Sequence, residues 1–439
     1  MEQLFTYSDH DAAIKAAADK FSQTGCYSIY GVGGSAKSFI TAKGIRNMQH
    51  PVLIIAVGRE QVAQWMADLQ FLLPEMPLYT FPFVTSEVFT TAVKSLERVA
   101  EQMKVLAHLR ERKPCIVIAA AEEAAQYTIS PENLDAAAVP LCCHESYERQ
   151  VLVEQLIQSG YERVDLVERR GHFSVRGDII DIYAVNHRDP LRLEFFGDTL
   201  DSMRFFEVQR QISCQAVEQV RILPFTLLSL ASVTDSTLPD YFSDGCVVWD
   251  EPNRIRESLK KIGKESDEYQ KRLCPWSRWV KKPRTCTQIV LSLMAQAVPD
   301  FLLTGSAGFV AKRMASFQKQ WPVLCEELVH WQQERKIVFV VMTDCKRRAS
   351  LQARLRQEHI SVSPSSNSEC CAGKIYIVDG ELQNGFELPY AGVIVLCERD
   401  IYGMQKKRVH RYAGKSEKIN VFTDLKSGDY IVHLSLIHI

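Results

Sequence analysis

Residues 30–40 read YGVGGSAKSFI. Their spacing is nearly that of a phosphate cradle. A phosphate-binding loop has the form G-x-x-x-x-G-K-[ST], with backbone N–H groups around the phosphates and a lysine reaching the terminal ones. Gly31 supplies the first glycine, Gly34 lies within the loop, and Lys37 and Ser38 supply the lysine and the hydroxyl. The second glycine belongs at position 36, which is Ala36. Glycine there commonly gives backbone freedom that alanine lacks. A hydrolase also needs an acidic partner for its metal. The best candidate is VVWDE (247–251), an apolar run ending in Asp250 and Glu251. Pro252 and Asn253 follow it, and no arginine finger or further helicase motif is readable. The expectation is a relic loop that caps a helix, with weak nucleotide binding as the alternative. No catalytic residue is assigned.

The second chemical cluster is GYERVDLVERRGHFSVRGDIIDIY (160–183), which holds Arg163, Arg169, Arg170, His172 and Arg176. Side chains alternate faces along an extended segment. Alternation places Arg170, His172 and Ser174 on one face and Phe173 and Val175 on the other, with Arg176 rejoining the exposed side. Outward arginines beside an aromatic fit a protein-docking edge. The competing reading is a solvated edge strand whose charges prevent aggregation.

The elements that must position these groups follow from periodicity. PVLIIAV (51–57) and CIVIAA (115–120) are continuous apolar runs, as in strands buried on both faces of a parallel sheet. Residues 60–72 and the stripe Val93, Leu96, Val99, Met103, Leu106 and Leu109 have helical spacing. Repeated β-α-β units imply a doubly wound parallel sheet. Near residue 134 the texture changes. One helix ends at Gly160, then strand-like runs span 172–185 and 191–208, the latter with a hairpin turn at Gly197-Asp198. CVVWDEPNRIRESLKK (246–261) returns to strand then helix. The stretch 263–335 is charged, weakly periodic and holds Trp276, Trp279, Trp321 and Trp331, which are expected in the core. A third α/β unit has strands at 336–342, 374–380 and 391–400 around a basic helix at 344–358. Residues 405–418 read as a basic linker.

The expected organisation is therefore multidomain α/β. It comprises a split α/β domain at 1–133 and 214–310, an α+β insert at 134–213, a third α/β domain at 311–412, and the start of a β-rich domain at 413–439. The 439 residues exceed one ordinary core. A net charge of −1 gives no bulk attraction to nucleic acid or membrane. Thirteen cysteines include no CxxC, and the pairs Cys142-Cys143 and Cys370-Cys371 are not metal spacings. The N-terminus is polar and unlike a signal peptide, and no run is long enough to span a membrane. A cytoplasmic protein with reduced thiols is expected.

GVGGSAKSFI, GYERVDLVERRGHFSVRGDIIDIYAV and LRLEFFGDTLDSMRFF together resemble the UvrB family of nucleotide-excision repair proteins. More specifically, the chain resembles the N-terminal half of the bacterial transcription-repair coupling factors, the Mfd family. The glycine loop is degenerate, and the region after YTFPFVTSEVF (79–89) passes directly into a long helix. Both features are similar to the UvrB-like module of Mfd, whereas UvrB keeps an intact loop and a DNA-inserting hairpin.

The resemblance implies that the insert binds UvrA. The family's arginine positions fall on Arg163 and Arg176, and a third arginine position of the UvrB pattern is Ser174. Local reasoning adds Arg170 and Phe173. It also implies that DLKSGDYIVH (424–433) opens a domain that binds RNA polymerase, and that ATP, magnesium and DNA are bound by translocase domains expected to be absent here. The sequence LSLIHI then replaces the expected glycine-rich continuation, as in a partial product. The implied chain is a monomeric, non-enzymatic recruitment module without a cofactor or metal. The rivals are a UvrB-type ATPase acting on damaged DNA, and a DNA-binding fragment using 405–418.

Overall fold

The computed structural model describes residues 2–84, 92–225, 236–265, 271–281, 285–363 and 371–403. The basic stretch 405–418 and the segment 424–433 lie outside the described residues, as does the rest of 404–439.

The first sheet has seven strands, all parallel to their neighbours. Their spatial order is Gly305–Gly308, Cys26–Tyr30, Thr287–Ser292, Cys246–Asp250, Val52–Ala56, Ile116–Ala120 and Leu78–Thr80. Val52–Ala56, Ile116–Ala120 and Cys246–Asp250 are buried throughout, which explains their unbroken apolar runs. Alternate residues enter different cores. Ile54, Ala56, Ile116 and Ile118 face one layer of helices, and Leu53, Ile55, Val117 and Ala119 face the other.

Chain segments on both sides of the insert build this sheet. The insert is closed where Val139–Cys142 pairs antiparallel with Gln219–Ile222. Between them lies a six-stranded sheet ordered Ser213–Ala216, Thr199–Phe206, Leu191–Phe196, Ile179–Ile182, His172–Arg176 and Glu162–Arg163. The run 172–185 is thus two strands rather than one. Gly177 (φ 58°) and Gly197 (φ 63°) turn the two hairpins, each followed by Asp, in the left-handed backbone region that glycine adopts without penalty. The helix Arg149–Gln158 lays Leu152 and Leu156 on a separate core containing Phe173, Ile180, Ile182, Leu191 and Leu193.

The third sheet is ordered Lys312–Arg313, Phe386–Leu388, Val393–Cys397, Ile337–Met342, Ile375–Asp379 and Val362–Ser363. One face, with Val338, Val340, Ile375 and Ile394, packs on the helices Trp321–Gln333 and Cys345–Gln357 through Leu324, Leu328, Leu351 and Leu355. Its other face, with Phe339, Val341, Tyr376, Val393 and Val395, belongs to the same core as Ile54 and Ile118 of the first sheet. The helices Ala12–Asp19, Ser35–Ile45 and Arg59–Leu72 therefore form a layer shared by two sheets. Ser35–Ile45 is accordingly buried except at Lys37 and Gly44, with Ser35, Ser38, Thr41 and Lys43 among its buried residues. Such a helix shows no clean polar stripe.

Candidate functional site

The glycine loop joins the Cys26–Tyr30 strand to the Ser35–Ile45 helix. Gly31 has φ 86°, and a Cβ there would lie 2.1 Å from the Phe309 carbonyl oxygen. Glycine is required by both conformation and space. Gly34 (φ 54°) precedes the helix and faces Asn384 of the third sheet's loop, whose Cβ would lie 3.3 Å from an added Cβ. Ala36 and Lys37 donate their backbone N–H groups to the Gly33 and Gly34 carbonyls (3.2 and 3.4 Å).

The lysine and hydroxyl of the motif are both engaged by protein. Lys37 Nζ donates to Asp250 Oδ1 and Oδ2 at 2.8 and 2.7 Å. Asp250, 1% exposed, also accepts from the Trp65 indole N–H at 2.8 Å. Ser38 Oγ donates to Asp68 Oδ2 at 2.8 Å. Asp68 Oδ1 accepts the backbone N–H of Gln383 at 2.9 Å, and Ser35 Oγ accepts that of Asn384 at 3.0 Å. Burial raises the Asp68 carboxyl to about 6, against the lowering effect of the Gln383, Ser38 and Ser35 hydrogen bonds and of Lys37. Glu251 takes φ 61° and accepts the Leu293 N–H at 2.7 Å, and burial raises its carboxyl above the usual range. The loop, Lys37, Ser38, Asp250 and Glu251 thus assemble at the carboxyl end of the sheet as the motif requires, but their polar atoms are bonded to the chain itself.

The second candidate is the outer edge of the insert. Glu162–Arg163 pairs only with His172–Arg176, in parallel register, and so ends the sheet. Arg163 is exposed and has no ion pair or hydrogen-bonded side-chain partner among the described residues. Arg176 is exposed, and its guanidinium donates to the Asp165 carbonyl from Nε (3.1 Å) and from a terminal nitrogen. This draws the loop after Arg163 against Arg176. Leu166, 43% exposed, lies on that loop. Arg169 Nε donates to His172 Nε2 at 2.6 Å and its terminal nitrogen reaches Glu162 at 3.3 Å. Burial, with Arg169 beside it, lowers the His172 pKa.

A UvrB interaction domain family model matches residues 139–227, the insert just described. The transcription-repair-coupling factor of Bacillus subtilis (strain 168) is 24% identical, over 92% of this chain and 41% of that protein. That of Staphylococcus haemolyticus (strain JCSC1435) is 24% identical, over 98% of this chain and 43% of the relative. That of Staphylococcus aureus (strain bovine RF122 / ET3-1) is 25% identical, over 92% and 41%. The chain is similar to the N-terminal part of the transcription-repair-coupling factors. It spans about two fifths of the length of the curated relatives it matches.

One expected docking residue, Phe173, and the expected exposure of Ser174 need correction. Phe173 is fully buried, because its register with Ile182 and then Leu191 puts it on the core face of the sheet. It supports the edge and cannot touch a partner from there. Ser174, expected at the solvent face, is 1% exposed, and its Oγ finds no hydrogen-bond partner among the described residues. Arg170 is half-buried, stacked over the Tyr183 ring (5.3 Å) and bonded to the His187 and Arg188 carbonyls. Alternation placed the side chains on their faces as expected, but the face that carries His172 and Ser174 is also covered at that point.

Sequence reading missed Asp68, Ser35, Gln383 and Asn384 at the loop, and Leu166 at the edge. Asp68 carried a signal: a carboxylate inside the helical apolar stripe Val62, Trp65 and Leu69. The described residues hold no group of His, Cys, Asp and Glu placed to bind a metal. None of their helices is long and apolar enough to cross a membrane.

Proposed function

We propose that this chain is a docking module that presents the outer edge of its insert to UvrA, as the UvrB-like part of a transcription-repair coupling factor. The observation that carries this reading is Arg163, exposed and without a side-chain partner among the described residues, on an edge strand whose following loop carries the exposed Leu166 and is held by Arg176, in the segment that matches the UvrB interaction domain. A free guanidinium beside an apolar side chain is the composition of an interface anchor, because it loses no existing ion pair on docking. In the longer relatives the same module would bring UvrA to RNA polymerase stalled at a lesion. Polymerase contact, DNA contact and ATP-driven translocation would be supplied by parts outside this chain, which itself works in the cytoplasm as a monomer without catalysis.

The rival ATPase reading has the motif residues in its favour. Against it stand Ala36, the Lys37–Asp250 pair and the Asn384 turn over Gly34. The test is calorimetric titration of the chain with purified UvrA, beside an Arg163→Ala/Arg176→Ala variant with unchanged thermal unfolding. The expected result is binding by the wild type and a loss of more than about 2 kcal/mol in the variant. Equal binding by both proteins, or by neither, would overturn the reading.

A further inference from the structure

The glycine loop has an occupant, and it comes from the same chain. Leu382 and Gln383 are 3% and 4% exposed, so the turn that carries them is part of the interior. Leu382 lies in the core shared by the two sheets, together with Phe39 of the loop's helix and Phe386, whose rings lie 5.5 Å apart. The turn is fixed from its own side as well. The Gln383 side chain donates to Glu381 at 2.8 Å, Arg399 reaches the Gln383 carbonyl at 3.5 Å, and Arg313 reaches Asn384 Oδ1 at 3.4 Å. Across the joint, two successive backbone N–H groups of the turn end on the loop's surroundings: Gln383 on Asp68 and Asn384 on Ser35. Gly34 leaves room for the Asn384 side chain.

We propose that the glycine loop is the socket of an intramolecular latch, with the Leu382–Asn384 turn as its ligand, and that this latch holds the third sheet on the first. Ser35 and Ser38 are the loop's share of the latch. Ser38 supplies a donor to a carboxylate with almost no access to water, and Ser35 accepts from the turn. Asp68 bridges the two sides by accepting from the loop's helix through its serines and from the turn through the Gln383 N–H. Removing the Ser35 hydroxyl leaves the Asn384 N–H of the turn without its acceptor, and removing the Ser38 hydroxyl takes a donor from the buried carboxylate that receives Gln383; both losses destabilise the closed joint. The charge of Lys37, which Asp250 holds, favours the ionised form of this carboxylate. The latch gives the degenerate motif a present role. It also makes the third α/β unit a part fixed through the loop.

Hydrogen exchange of the whole chain tests this. In a Ser35→Ala/Ser38→Ala variant, the Gln383 and Asn384 amides should exchange at least about tenfold faster, as loss of buried hydrogen bonds permits. The strands Ile375–Asp379 and Val393–Cys397 should accelerate with them, because they open as one unit. The insert strands Leu191–Phe196 and Thr199–Phe206 should be unchanged. Acceleration confined to the two turn amides, or none, would overturn the latch. Asp68→Ala is the companion variant, and it serves if the double variant does not fold. It removes the acceptor of the Gln383 N–H, so protection at Gln383 and Asn384 should fall at least about tenfold while the insert strands are unchanged. Unchanged protection there would overturn the assignment of Asp68 as the bridging acceptor.

Discussion

Lys37 and Asp250 stand 213 residues apart in the chain, yet the lysine ammonium lies 2.7 Å from a carboxylate oxygen of Asp250. The pair joins the Ser35–Ile45 helix to the Cys246–Asp250 strand, which comes from beyond the insert. Its two members have unequal access to water, with side-chain exposures of 20% for Lys37 and 1% for Asp250. In a phosphate cradle this lysine serves the ligand; here it neutralises a buried carboxylate. Lys37→Met should therefore lower folding stability, by about 2–4 kcal/mol after allowing for the lysine's partial exposure. A Lys37→Met/Asp250→Asn double variant should recover part of that loss, since no charge is then stranded. Urea denaturation measures both. Unchanged stability in Lys37→Met would show that the pair does not hold the fold.

Restoring the missing glycine should not restore a nucleotide site. Ala36 is fully buried within a helix, so Ala36→Gly should cost about 1 kcal/mol in backbone entropy and lost packing. Asn384 still faces Gly34, and Asp250 still holds Lys37. Calorimetry with ATP and magnesium should show no gain in binding over the wild type. A gain would make Ala36 the decisive departure from the motif and the surrounding contacts secondary.

The buried Asp68 predicts a pH dependence whose sign is fixed. Its carboxyl titrates near 6 in the folded chain, against an ordinary value of 3.8. The folded state therefore holds this proton more tightly than the unfolded state. The associated stability is fully present below about pH 4 and is lost as pH rises through 6. The difference in unfolding free energy between wild type and Asp68→Asn should shift against the wild type by about 2–3 kcal/mol between pH 4 and pH 8. His172 acts in the opposite direction: its pKa is lowered, so its contribution is present above its ordinary 6.5 and falls in acid. Comparing wild type with Asp68→Asn cancels that contribution. A flat difference curve would mean that Asp68 is hydrated or fully compensated.

Much of this architecture could be read from the sequence, because fully buried parallel strands are short unbroken apolar runs. Val52–Ala56, Ile116–Ala120 and Ile337–Met342 are such runs. Thr287–Ser292 sits next to Cys246–Asp250 in the same sheet, yet lay hidden in the unreadable stretch. It opens with Thr287 and Gln288, and the Gln288 side chain accepts from the Trp249 indole of the neighbouring strand. No local pattern reports a partner 39 residues away. Of the four tryptophans there, Trp279 and Trp331 are buried, while Trp276 and Trp321 are half-buried. The glycine loop was legible as a motif, but its occupant was not. Gln383 and Asn384 belong to a different sheet, and only the shared core brings them to Gly34.

If the insert docks as proposed, it separates support from contact, and two substitutions should show it. Phe173 is fully buried against the insert's core, so Phe173→Ala should destabilise by about 3–5 kcal/mol, as removal of a buried aromatic does. Phe173→Leu should cost less because it leaves a smaller cavity. Any loss of UvrA binding in these variants should follow the fraction unfolded and return on cooling to where the insert is folded. Arg163→Ala removes an exposed side chain with no side-chain partner among the described residues, so its unfolding temperature should match the wild type. Its loss of UvrA binding should persist at every temperature at which the protein is folded. Differential scanning calorimetry and UvrA titration on the same samples distinguish the two behaviours. A Phe173→Leu variant that is fully folded and yet as defective in binding as Arg163→Ala would return Phe173 to the contact surface and require the edge to open on docking.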